Sequence, residues 1–487
     1  MNPRNILILS LGIFLPLFGT EAVRLGEVPP TDAADFWTQD GPRPMVVDKN
    51  LQGHAIAIAG VTYARGISGH TGFSVVYNLS GLACGFTALA GIEDEDHPKD
   101  PKDGGGADLN VVVLVDRKEV FRRNVRLGEK AIPLAIPLVG AHQIELRGEY
   151  GKSGFLRQRI AYADPLLEVS NRDGFLRQAA AWRERVAAGR QGMAGSAEVP
   201  PWKKIRIEKI AEGSNRGQFQ VATSNLTLRF APDIGGMILA FGPPGGPNAI
   251  HDDFKAPQNV PNRGACPDFG AHFNRFQPRN YFLPADPILL CGRYRVEFPA
   301  EGEIILSSPE SAYLFLVQRY EIHLDPARPG LRVVNIQKNT APFPQACGIW
   351  SITRVPPKAA REIAVPREAE GDTRKSALSP ETHRDLIRRD GGWDRLDTAA
   401  ALARTGAKGL EWQQQPAVNE IQVRYEGFRF RLQPRLLPGD LDLMGDFYPA
   451  HFYVCPKFIE VESHGPTKIL PPNGEIALEE NWELIPD

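Results

Sequence analysis

Val47 to Leu79 reads VDKNLQGHAIAIAGVTYARGISGHTGFSVVYNL. Two runs in it, Ala55–Ile58 and Phe73–Tyr77, alternate apolar and small or polar residues with β-branched and aromatic side chains. Period-two alternation of this kind predicts strands, each with one buried face. Between them, Tyr63 to Thr71 is interrupted by Gly66 and Gly69, with Gly72 following, and reads as turn rather than strand interior. Glycines this close together point to positive φ or to close approach of the backbone by a neighbour.

The whole chain has 487 residues, 23% charged, with a formal net charge of −2. That length predicts two domains with a linker. No basic excess points to nucleic acid or an anionic membrane surface. Abundant glycine and proline, 47 and 42 residues, suit many short strands joined by turns. Arg4, the apolar run Ile6 to Phe18 and the small residues Thr20 and Ala22 read as an export signal cleaved after Ala22. No later run is long and apolar enough to span a bilayer, so the mature chain is expected to be exported without a transmembrane segment. Cys84, Cys266, Cys291, Cys347 and Cys455 form no CxxC pair, and apolar contexts such as Leu290-Cys291 and Val454-Cys455 favour buried thiols.

The Val47–Leu79 stretch resembles the opening of the NPCBM family of carbohydrate-binding modules, which reads G-x-x-Y-x-x-G-(L/I)-x-x-H followed by a strand ending Tyr-x-Leu. Further landmarks follow: a strand closing on Gly91-Ile92-Glu93-Asp94-Glu95, and the hairpin Val111 to Phe121, in which Arg117 stands where the family has glycine. The resemblance covers residues 23–170 and implies a galactose-binding-like jelly roll that recognises a glycan through Arg65, His70, Glu93 and Asp94. Guanidinium edges and carboxylates suit sugar hydroxyls. Glu93, Asp94, Asp96 and Asp108 are also hard oxygen donors of the type that ligates structural Ca²⁺; no organic cofactor is implied. The alternative for His70 and the acidic segment is a turn held by a buried histidine beside a solvated loop.

Asp173 to Arg190 places Phe175, Ala179, Trp182 and Val186 at helical spacing, and residues 191–201 have linker composition. The interdomain segment is expected at 171–202. From Lys203 to Asp487 the landmarks Pro232-Asp233-Ile234-Gly235-Gly236, Phe458-Ile459-Glu460-Val461-Glu462, Gly465-Pro466 and Trp482-Glu483-Leu484 are similar to the galactose mutarotase-like β-supersandwich, an aldose epimerase-like family. An insertion at about 357–418 carries helical signals at Ser379-Pro380-Glu381 and Leu396–Arg404. The expected class is therefore all-β: a jelly roll, a linking helix, and a supersandwich with a helical insertion.

Sugar epimerisation requires a general acid and a general base flanking the anomeric centre. The resemblance offers Glu460 as the base, with Glu462 on the same strand face. Residues 339–354, where the family carries its histidine acid, contain none; Trp350 stands near that place, and His272 is the other candidate. Trp350, as a sugar-stacking platform, and Glu462 are candidate carbohydrate contacts; Glu460 is equally readable as a strand carboxylate paired with arginine or lysine, and Trp350 as core. No phosphate loop, metal-spaced histidine pair or G-x-S-x-G occurs. The reading is thus a carbohydrate-binding protein, with a sugar-active enzyme using Glu460 and a cell-envelope interaction protein as alternatives.

Overall fold

A computed structural model describes residues 19–30, 32–35, 45–94, 108–151, 159–191, 198–211, 217–252, 271–277, 287–311, 314–367, 377–379, 381–406, 409–414, 419–435 and 449–487. The chain divides into two compact units, Met1–Glu184 and Arg185–Asp487. Both are built from antiparallel sheets packed face to face over an apolar core.

In the first unit, one sheet runs in the order Ile132–Pro137, Ala83–Ile92, Arg159–Val169, Gly66–His70, Val46–Val47, with Glu21–Arg24 also pairing Arg159–Val169. The facing sheet runs Lys118–Arg126, Asp108–Val115, Gln143–Tyr150, Phe73–Asn78, Asp32–Asp35. Inward residues Ile67, Val75, Tyr77, Phe86, Val111, Val113, Ile144, Leu146 and Tyr162 form its core. Helix Arg172–Gln191 adds Phe175 and Ala179 to the same core, and the Asn171 side chain accepts from the Gly174 N–H at 2.7 Å to begin it.

Gly66–His70 is a fully buried strand, not the turn that its glycines suggested. The two glycines there are needed for close approach. A Cβ on Gly66 would fall 2.5 Å from Ile56 Cδ1 and 2.9 Å from the Tyr162 carbonyl, and one on Gly69 would fall 2.5 Å from the Phe73 ring. Gly72, at φ +87°, makes the turn that follows.

Arg117 also finds an explanation. Asp116 and Arg117 form the two-residue turn of the hairpin with φ of 47° and 65°, the left-handed pair that matches strand twist. Asp116 Oδ1 accepts the backbone N–H groups of His142 and Gln143, both at 2.9 Å. The Arg117 side chain is buried, and its charge helps hold the buried Glu145 ionised together with Arg147. The electrostatic gain at Glu145 opposes the left-handed backbone cost of about 1–2 kcal/mol.

Among the described residues, the second unit has two ten-stranded sheets. The first runs from Arg206–Lys209 through Phe219–Ala222, Thr227–Ala231, Met237–Gly242, His272–Gln277, Gln345–Val355, Ile459–Leu470, Ala450–Val454 and Leu410–Gln414 to Ala377–Ser379. The second is centred on Leu316–Leu324, Gly330–Asn339, Glu475–Pro486 and Phe428–Arg435. Phe230, Phe241, Tyr320, Val333, Phe430, Phe452, Val461 and Trp482 fill the space between them. The 357–418 insertion carries a short 3₁₀ stretch, Glu381–Leu386, and one helix, Thr398–Thr405, capped by the Asp397 carboxylate on the Ala400 N–H at 2.8 Å. Strands Glu362–Pro366, Ile387–Asp390, Trp393–Asp397 and Leu410–Gln414, not placed by the sequence reading, lie between and beyond these helical pieces and extend both sheets.

Cys84, Cys347 and Cys455 are free thiols, the last two buried. Cys266 and residues 1–18 lie outside the described residues. No helix among the described residues is long and apolar enough to cross a membrane.

Candidate functional site

Four neighbouring strands of the second unit assemble the site. His272–Gln277 pairs with Gln345–Val355, which pairs with Ile459–Leu470, which pairs with Ala450–Val454. Ile459, Val461, Phe452, Val454 and Val355 point into the core. By period two, the opposite face of this sheet carries Glu460, Glu462 and His464, with His451 and Tyr453 beside them on the next strand. Registry completes the face: Trp350 lies opposite His464, Arg354 opposite Glu460, His451 opposite Glu462 and Arg275 opposite Trp350.

One carboxylate oxygen is the focus of this face. Glu462 Oε2 accepts from Trp350 Nε1 at 2.8 Å and lies 3.1 Å from His451 Nδ1 and 3.5 Å from His464 Nε2. The Trp350 ring stacks on His464 with centroids 5.6 Å apart and planes 17° apart. Beyond it, Arg354 Nε and Nη2 donate to Glu460 Oε1 at 2.9 and 2.8 Å, and the Arg354 guanidinium lies 4.0 Å from the centroid of Phe458. Arg275 sits 5.8 Å from the Trp350 ring.

The two carboxylates are pushed apart electrostatically. At Glu462 burial opposes ionisation, but hydrogen bonds from His451 and His464 hold its pKa far below the ordinary carboxylate value. Burial and the neighbouring Glu462 charge raise the pKa of Glu460, against the pull of Arg354. Burial lowers His451, but its bond to Glu462 outweighs this and the pKa ends above the usual histidine value, whereas burial keeps His464 below it. An ionised carboxylate, a second one biased towards its acid form and a histidine biased towards its cation are groups that can exchange protons with a ligand.

The sequence-derived candidates separate accordingly. Glu460, Glu462 and Trp350 come together. His272 lies on the core side of its strand, with Nδ1 3.0 Å from Thr353 Oγ1 and its ring edge-on to Trp482 at 4.7 Å. Burial drives its pKa down to about 3, and it does not share a face with Glu460. His451, His464 and Arg354 went unremarked in the sequence. His464 was readable there, since Glu460-x-Glu462-x-His464 is a period-two series; His451 depends on strand registry.

In the first unit, the Arg65 side chain is half exposed and pairs with Asp48 at 2.6 Å. Asp94 is engaged locally, accepting the N–H groups of Ala59 and Gly60 at 2.8 and 2.6 Å. Glu93 and His70 are buried. Asp108 accepts from Asn124 Nδ2 at 2.8 Å, and Asp96 lies outside the described residues. The structure therefore spreads these residues over different local tasks, and Asp94 and Asp108 have carboxylate oxygens committed to donors of the fold.

Residues 22–168, within the first unit, match the NPCBM/NEW2 domain family. Among solved structures, the chain is similar to CBM51 from Clostridium perfringens GH95, in complex with methyl-galactose, at 21% identity and a TM-score of 0.25, covering 30% of this chain and 99% of that one. It is similar to the CBM51-2 and INT domains of Clostridium perfringens ZmpB at 19% identity and a TM-score of 0.27, over 31% of this chain and 32% of that one, so it spans about a third of that protein. A galactose mutarotase-like protein from Lactobacillus casei is similar at 13% identity and a TM-score of 0.37, over 55% of this chain and all of that one. No curated protein matches the chain.

Proposed function

We propose that this is an exported protein that binds carbohydrate, with the first unit as its glycan-recognition module. The observation that carries this reading is the match of residues 22–168 to the NPCBM/NEW2 family. The half-exposed Arg65, oriented by Asp48, is a polar contact suited to vicinal hydroxyls. A glycan array probed with the full chain tests the reading: retained oligosaccharides support it, and a blank array on folded protein rejects it. Export is tested by N-terminal sequencing of secreted protein, which should begin at Val23.

A second reading assigns sugar acid–base chemistry to the face around Glu460 and Glu462. The specific observation in its favour is the pair His451 and His464 beside Glu462. They supply imidazoles that residues 339–354 lack. Anomer exchange followed by proton NMR distinguishes the readings, because acid–base partners of this kind contribute about 10²- to 10⁴-fold in rate. Exchange above the buffer rate that falls in Glu460→Gln supports catalysis; exchange at the buffer rate leaves the second unit as a binding domain.

A further inference from the structure

We propose that His451, Glu462 and His464 form a binding site for a divalent transition-metal ion of the zinc class. The three residues come from two adjacent antiparallel strands, and one ligand atom from each lies within 4.8 Å of the others. A tetrahedral zinc ion with bonds of about 2.0–2.1 Å places its ligand atoms about 3.3 Å apart. Glu462 Oε2 lies 3.1 Å from His451 Nδ1 and 3.5 Å from His464 Nε2, separations that bracket that value.

The surroundings match a metal site as well as the three residues do. Ligating histidines engage their second ring nitrogen with a neighbour that fixes ring orientation. Here Gln277 Nε2 lies 3.3 Å from His464 Nδ1; with the amide turned over, its carbonyl oxygen accepts the Nδ1–H and makes Nε2 the ligand atom facing Glu462. Trp350 Nε1 holds the Glu462 carboxylate from the side at 2.8 Å. Both supports come from neighbouring strands, so the donor set is preorganised on rigid elements. Glu462 and His464 are buried and His451 stands at the more open edge, which gives the ion an entry.

Two imidazoles and one carboxylate select a borderline ion such as Zn²⁺ over Ca²⁺ or Mg²⁺, whose preferred donors are all oxygen. Three protein ligands leave a fourth coordination position for water or a ligand oxygen. The site is independent of the glycan reading of the first unit. It stands or falls on metal binding alone.

The test uses the full-length protein, stripped with a chelator and titrated with Co²⁺ while its visible d–d absorption is recorded, followed by displacement with Zn²⁺. One Co²⁺ per chain with an intense tetrahedral spectrum is expected, released by one equivalent of Zn²⁺. His451→Ala, at the open edge, and Glu462→Gln should each weaken Co²⁺ binding at least ~100-fold. Gln277→Ala, which removes the contact to the far nitrogen of His464, should weaken it about 10- to 100-fold. Circular dichroism checks folding of each variant; if Glu462→Gln unfolds, His451→Ala decides. Absence of stoichiometric Co²⁺ binding by the folded wild type, or binding unchanged in His451→Ala, overturns the proposal.

Discussion

Trp350 donates its indole N–H to Glu462 across two paired strands at 2.8 Å, although the two residues are 112 positions apart in the chain. The bond gives Trp350 a job that neither the core nor the sugar-platform reading contained: it holds a buried carboxylate in place. Trp350→Phe keeps the ring and deletes the donor. Leaving that carboxylate short of one hydrogen bond should cost about 1–3 kcal/mol. The midpoint of chemical unfolding should fall accordingly, and an unchanged midpoint would mean that water replaces the indole.

Glu460 is the ion-pair partner of Arg354, whose side chain is only 7% exposed. Glu460→Gln retains an acceptor but strands the guanidinium charge, so a loss of roughly 1–3 kcal/mol is expected. The double variant Glu460→Gln/Arg354→Met should recover part of that loss. If the single variant melts like wild type while ligand binding disappears, Glu460 serves the ligand rather than the scaffold.

Glu480 gives a pH signature of defined sign. It is fully buried between the sheets of the second unit, with Asn335 Nδ2 donating at 3.4 Å and Ser351, Ser463 and Trp482 around it. Burial raises its pKa from 4.5 to about 7 against those hydrogen bonds. The folded state therefore holds a proton that the unfolded chain releases. This stabilising contribution is complete below about pH 4.5 and is lost as pH rises to about 7, a span worth roughly 3 kcal/mol. Glu480→Gln keeps the shape without the ionisation. It should melt near the wild-type temperature at pH 5 and above it at pH 8; equal melting at both values would show that the carboxyl titrates normally.

Arg117→Gly relieves a left-handed backbone but removes a charge near Glu145. Glu145 is fully buried and also accepts from Arg147 Nε at 2.5 Å and Ser74 Oγ at 2.6 Å. Net destabilisation of about 1 kcal/mol or more is expected, because a buried carboxylate loses one of its two neighbouring cations. A stabilised Arg117→Gly would show that turn strain outweighs the charge. Glu145→Gln in the same background separates the two effects.

Much of this protein is written in its local sequence. Alternation at Ala55–Ile58 and Phe73–Tyr77 marked strands, and helical spacing from Phe175 marked the linking helix, because these signals depend only on neighbours along one chain segment. Period two placed Glu460 and Glu462 on one face, and extending it by two residues reaches His464. Tertiary structure decided the rest. Gly66 and Gly69 looked like turn residues, yet they sit in a buried strand because Ile56, Tyr162 and Phe73 leave no room for a Cβ. His272 resembled a site residue by its neighbours in sequence, but its strand turns it into the core against Trp482. His451 joined Glu462 only through the registry of Ala450–Val454 on Ile459–Leu470. A strand's sequence states which of its own residues share a face; which faces meet, and opposite whom, is set by pairing, and a shift of one residue there exchanges every side chain between core and site.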